Sequence, residues 1–135
     1  MGQSLIYLDA NVVIRLVEGD AATIAPLATR LAGSLGIANS LLTSGLTRIE
    51  CRSKPLQARD HATLAEYEVF FRGVELLIAE VSAAVIERAT ELRAKYRLKT
   101  PDALHYATAV EFGASVFLTG DKTFIRCDEI PVEVM

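Results

Sequence analysis

Leu5-Ile6-Tyr7-Leu8-Asp9-Ala10-Asn11-Val12-Val13-Ile14-Arg15-Leu16-Val17 joins two different periodicities at a single acidic residue. Four consecutive apolar residues, 5–8, read as a short strand buried on both faces. Val12, Val13, Leu16 and Val17 then recur at helical spacing and stop near Gly19. A continuous apolar strand running straight into an amphipathic helix is the start of a parallel β-α unit. Asp9 stands at the point where strand becomes helix.

The rest of the chain repeats this alternation. A helix is expected from about 20 to 31, before Gly33-Ser34, and a second strand over 36–42. A helix carrying Leu46, Ile49 and Glu50 follows and should stop before Pro55. Another helical pattern runs from about 57 to 71, then a third strand over 74–78. Ser82 is placed as the N-cap of a helix carrying Val85, Ile86, Ala89 and Leu92. Thr100-Pro101-Asp102 reads as a helix start, with Thr as cap, Pro at the first position and Asp in the first turn. That helix ends at Gly113, a fourth strand covers 115–119, and 132–134 forms a short fifth. Strands alternating with helices predict a three-layer α/β/α sandwich with a central parallel sheet of four to five strands. At 135 residues the chain is expected to form a single domain, 1–135.

Composition narrows the function classes. With 51% hydrophobic and 23% charged residues the chain is globular rather than disordered. No apolar stretch reaches the roughly 18–20 residues of a membrane span. The start lacks the pattern of a signal peptide. Met1-Gly2 fails as a lipid-attachment motif because position 6 is Ile rather than Ser or Thr. A cytoplasmic, membrane-free protein is expected. Cys51 and Cys127 form no C-x-x-C and read as ordinary reduced residues. A net charge of −3 counts against phosphate binding. Four carboxylates gathered round divalent ions would hide much of that charge, however, and basic residues cluster at Arg48, Arg52, Lys54 and Arg59 and again at Arg93, Lys95, Arg97 and Lys99. Each cluster equally fits a solvated helix face.

In parallel sheets the ligand crevice lies beyond the carboxyl ends of the strands. Asp9 follows the first strand and Asp121 the fourth. Asp102 lies in the first turn of a helix, and Glu50 on the helix after the second strand. All four can reach one rim. Taken singly each has a plainer role: Asp9 or Asp102 at a helix N-terminus, Glu50 on a solvated helix, Asp121 in a turn. Together they would repel one another unless some were protonated or cations lay between them. Carboxylate oxygens suit Mg²⁺ or Mn²⁺, and the chain lacks the His/Cys cluster that zinc would need. Such a site supports hydrolysis at phosphorus by water.

Leu8-Asp9-Ala10-Asn11-Val12-Val13-Ile14, Thr47-Arg48-Ile49-Glu50, Thr100-Pro101-Asp102-Ala103-Leu104-His105-Tyr106-Ala107-Thr108-Ala109 and Leu118-Thr119-Gly120-Asp121-Lys122-Thr123-Phe124 resemble, in order, the four acidic motifs of the PIN-domain family. A single-domain chain of this kind is similar to the VapC-like toxins of type II toxin–antitoxin pairs. The resemblance implies a Mg²⁺- or Mn²⁺-dependent endoribonuclease acting on transfer or ribosomal RNA and leaving a 5′-phosphate. It further implies a homodimer and a cognate antitoxin. By position it makes Asp9, Asp102 and Asp121 metal ligands, Glu50 a ligand directly or through water, and Asn11 and Thr119 supporting polar residues. Gly120 departs from the pattern, since many relatives carry Asn there.

His105 lies one helical turn after Asp102 and can approach the same crevice, a satisfied half-buried imidazole being the plainer reading. His61 reads as surface. Tyr67, Phe70 and Phe71 form a packing stripe more readily than an RNA-stacking platform. Arg15, Arg48 and Lys122 are candidates for substrate phosphate. Two other classes compete: a PIN-like module that binds a protein and cleaves nothing, and a phosphoacceptor receiver domain. The second wants an acidic pair at the first strand, where this chain has Asp9 alone.

Overall fold

A computed structural model describes residues 4–135. The readings made on Met1 and Gly2 fall outside the described residues. The elements are β1 (Ile6–Leu8), α1 (Ala10–Glu18), α2 (Ala21–Leu31), β2 (Leu41–Ser44), α3 (Gly45–Gln57), α4 (His61–Phe71), β3 (Leu76–Ala79), α5 (Ala83–Tyr96), α6 (Thr100–Glu111), β4 (Val116–Thr119) and β5 (Val132–Val134), with short 3₁₀ turns at Ala32–Ser34 and Lys122–Arg126. All strand pairs are parallel, in the order β3-β2-β1-β4-β5. This is the expected α/β sandwich. It is not the 2-1-3-4-5 order of a receiver domain.

Strand alternation divides the core in two. Tyr7, Leu42 and Phe117 face α5 and α6 and pack with Val85, Leu92, Tyr106 and Phe124. Ile6, Leu8, Leu41 and Leu118 face the other way, onto Val12, Val13, Leu27, Tyr67 and Phe71. Tyr67 and Phe71 are therefore core, while Phe70 is partly buried. Cys51 and Cys127 belong to opposite clusters and are free thiols. Burial raises the Cys127 thiol to about 11. No helix among the described residues is long and apolar enough to cross a membrane.

Several boundaries differ from the sequence reading. The second strand begins at Leu41 rather than 36, because Gly36 (φ +75°) and Asn39 (φ +56°) adopt left-handed conformations that no strand accommodates. The third strand is Leu76–Ala79. α3 continues through Pro55, whose ring is buried and whose missing N–H removes one bond from the last turn. α4 starts only at His61, capped by Asp60, which accepts from Thr63 N–H at 3.1 Å. Lys99, not Thr100, occupies the cap of α6. The Thr100 hydroxyl instead accepts from Arg93 Nε at 3.2 Å.

Phe117 is fully buried, stacked 5.1 Å from Tyr7, tilted against Phe124 at 4.7 Å, with Tyr106 edge-on at 5.2 Å. Phe117→Ala should cost about 3–5 kcal/mol in urea unfolding. A loss below about 1 kcal/mol would show that this cluster does not hold the α5–α6 layer to the sheet.

Candidate active site at the sheet switch point

From β1 the chain adds β2 and β3 on one side, then returns to place β4 and β5 on the other. The connections diverge at the carboxyl ends of β1 and β4, which opens a crevice there. Asp9 immediately follows β1, and Thr119 closes β4 just before Gly120 and Asp121. Asp102 opens α6 and Glu50 lies within α3.

Asp9 is 5% exposed and heavily hydrogen-bonded. Its Oδ1 accepts from Ala10 N–H at 2.9 Å, so it does cap α1. Its Oδ2 accepts from the Thr119 hydroxyl at 2.7 Å and from Asn11 Nδ2 at 3.0 Å. Thr119 Oγ1 in turn accepts Asp121 N–H at 3.0 Å, and Asn11 Oδ1 accepts Gly120 N–H at 2.7 Å. These bonds stitch the end of β1 to the end of β4. Asp121 caps the following 3₁₀ turn, accepting from Thr123 N–H at 2.9 Å. Gly120 gains a reason here. A Cβ at this position would lie 3.1 Å from Asn11 Oδ1 and 3.0 Å from Arg15 Nη1, so glycine permits the close approach that its N–H bond to Asn11 requires.

The carboxylates feel one another. Burial, then Asp9, then Asp121 push the Asp102 carboxyl above its ordinary range, opposed by His105 and Lys99. Burial also raises Asp9, with His105 and the Thr119 and Ala10 hydrogen bonds pulling down and Glu50 adding to the rise. His105 joins the group more closely than sequence suggested. It is fully buried, its Nδ1 lies 2.7 Å from the Tyr7 hydroxyl, and its Nε2 bonds Glu50 and lies 3.9 Å from Asp9 Oδ1. Burial alone would depress its pKa, but the Glu50 hydrogen bond and the charges of Asp9, Glu50 and Asp102 raise it. The part played by the Tyr7 hydroxyl was missed, because within an apolar strand a tyrosine is indistinguishable from core.

Asp9, Glu50, Asp102 and Asp121 are thus brought within electrostatic reach of one crevice. No three acidic, His or Cys side chains among the described residues close round a single point. The donor chemistry fits a hard cation nonetheless: anionic oxygens dominate, and both nitrogens of the lone imidazole are already engaged. Of the basic candidates, Arg15 donates to the Met135 carbonyl at 2.6 Å. Arg48 pairs with Glu68 and lies 4.9 Å over the Phe71 ring. Lys122 is exposed, as is His61.

Comparison with known proteins agrees with this architecture. The VapBC2 structure from Rickettsia felis, bound to a DNA fragment from its promoter, matches with a TM-score of 0.77 at 15% identity, covering 96% of this chain and 98% of that one. DNA-bound VapBC from Salmonella typhimurium matches at 0.76 and 17% identity, covering 97% and 98%. Mycobacterium tuberculosis VapC20, a sarcin-ricin loop cleaving toxin, matches at 0.61 and 20%, covering 83% and 86%. At these identities the likeness speaks for the fold. No curated protein sequence matches the chain. The sequence model of the PIN domain, however, spans residues 6–130 and so takes in all four acidic positions together with every strand but the last: the chain belongs to the PIN domain family.

Proposed function

We propose that this protein is a Mg²⁺- or Mn²⁺-dependent endoribonuclease that hydrolyses phosphodiester bonds of transfer or ribosomal RNA. It acts as the toxin of a toxin–antitoxin pair, as a cytoplasmic homodimer restrained by a cognate antitoxin. The observation that carries this reading is the shared rim of the sheet: Asp9 and Asp121 follow β1 and β4, Asp102 lies near enough to feel both their charges, and Glu50 near enough to act on Asp9. Membership of a nuclease family and similarity to structures of toxin–antitoxin complexes support it. One neighbour is a sarcin-ricin loop cleaving toxin, which points to the substrate class.

In this reading Asp9, Asp102 and Asp121 would hold the cation, and Glu50 would reach it directly or through water. A bound ion would supply Lewis-acid charge, lowering the pKa of a water and offsetting negative charge on a departing oxygen. The chain's own contribution is orientation. Thr119 and Asn11 fix the rotation of the Asp9 carboxylate, and supporting hydrogen bonds of this kind tune a ligand's basicity and aim. Burial of Asp9 strengthens its attraction for a cation by excluding bulk water. Unpaired single-stranded RNA suits an open rim better than a duplex, because its bases can splay apart. For the antitoxin, the surface offers an apolar groove of about 390 Å³ lined by Leu16, Leu31, Leu35, Val69, Phe70 and Leu76.

Asp9→Asn and Asp102→Asn should each abolish cleavage of total RNA in Mn²⁺ while leaving the circular dichroism spectrum unchanged, and EDTA should silence the wild type. Wild-type turnover by either variant, or full activity in chelator, would refute the assignment. The same charges have a stability signature. An acid whose folded pKa is raised has no effect below its unfolded pKa of about 4, and destabilises the folded state progressively as pH rises from there through the folded value, above which the loss is complete. In metal-free buffer at pH 8, Asp102→Asn should therefore raise Tm by a few degrees, with the gain vanishing near pH 3.5. An unchanged or lower Tm at pH 8 would mean that Asp102 is not repelled in the folded protein.

A further inference from the structure

His105 is buried more deeply than Asp9, at 1% exposure, and its two ring nitrogens are taken by partners from different elements. Nδ1 meets the hydroxyl of Tyr7 on β1, and Nε2 meets Glu50 on α3 while lying 3.9 Å from Asp9 Oδ1. Three elements, β1, α3 and α6, converge on this one side chain. Glu50 is otherwise exposed. A glutamate on a helix surface ordinarily samples many rotamers, and fixing it has an entropic cost.

The direction of the bonds follows from the groups present. An ionised carboxylate only accepts, so Nε2 carries the proton shared with Glu50. In the neutral ring Nδ1 is then bare and accepts from the Tyr7 hydroxyl. In the charged ring Nδ1–H donates to the Tyr7 oxygen instead. Either way Nε2–H points at Glu50, so the arrangement does not depend on the charge of the ring. Tyr7 is fully buried, and its aromatic body stacks on Phe117 as a phenylalanine could. Its hydroxyl gives the buried Nδ1 a partner that phenylalanine would not.

We propose that His105 is a positioning residue: anchored through Nδ1 by Tyr7, it donates from Nε2 to Glu50 and holds that carboxylate beside Asp9, ready to receive a divalent cation. The inference rests on the ribonuclease reading, which gives Glu50 a place among the cation's carboxylates. It adds that the placement is made in advance by a relay of neutral or charged hydrogen bonds running from the core strand to the rim. His105→Gln can keep both bonds, its amide nitrogen donating to Glu50 and its amide oxygen accepting from Tyr7. His105→Leu keeps the volume and neither bond.

Two measurements test this. In ¹⁵N NMR of the metal-free wild type, Nε2 of His105 should be protonated, and its signal should shift in Glu50→Ala. In calorimetric titration with Mn²⁺, His105→Leu should bind about 10–100-fold more weakly than the wild type, with His105→Gln restoring most of the loss. An unprotonated Nε2, a signal indifferent to Glu50→Ala, or a His105→Leu variant that binds Mn²⁺ as tightly as the wild type would overturn the proposal. Should His105→Leu fail to fold, the wild-type spectrum and the His105→Gln titration decide. A wild type that binds no Mn²⁺ would defeat the ribonuclease reading and the positioning role with it. That pattern is distinct from one in which the wild type binds and His105 makes no difference.

Discussion

The structure depends on one buried acidic side chain. Asp9 ends the central strand, lies almost wholly out of water, and accepts hydrogen bonds from Ala10, Asn11 and Thr119. A carboxylate so placed is costly unless it is fully hydrogen-bonded, and these three donors come from both sides of the sheet's switch point. They lock α1 and the turn after β4 to the same atom pair. The crevice that holds Asp102 and Asp121 is shaped by that lock. Burial, followed by the charges of Asp9 and Asp121, raises the Asp102 carboxyl, and the proposed cation would relieve that unfavourable charge.

The carboxyl end of the sheet is built differently from its middle. Thr43, Ser44, Thr47, His105 and Thr119 are all buried there, where apolar side chains would pack with less demand. Thr43 donates to the Leu8 carbonyl at 2.8 Å and meets Thr47 at 2.7 Å. No buried side-chain polar atom among the described residues lacks a partner. A fully satisfied polar network rigidifies what it surrounds, whereas a half-satisfied one is a liability. Here it surrounds the residues whose orientation the proposed chemistry needs. The aromatic cluster of Tyr7, Tyr106, Phe117 and Phe124 supplies the apolar foundation beneath.

Much of this was legible in the residues. The change of period at Asp9 gave strand, junction and helix together, and the strand-end rule placed Asp9 and Asp121 on one rim. Boundaries governed by single backbone conformations were harder to read: Gly36 and Asn39 are residue types that favour a left-handed turn, but the apolar residues around them suggested a strand instead. Asp102 was a different case. α6 follows α5, not a strand, so no strand-end rule brings its first turn to the rim. Only the packing of α6 against the sheet does so. His105 shows the limit most clearly. Its spacing from Asp102 suggested an approach to the crevice, but its partners, Tyr7 and Glu50, are 98 and 55 residues away in sequence. The signal available was a histidine and a strand tyrosine, each with a common apolar explanation.

The most direct test of the account is anomalous diffraction from crystals soaked in Mn²⁺. The account predicts a manganese peak in the crevice between the ends of β1 and β4, with oxygens of Asp9, Asp102 and Asp121 turned toward it. A peak elsewhere on the surface, or none with those carboxylates unmoved in saturating Mn²⁺, would contradict it.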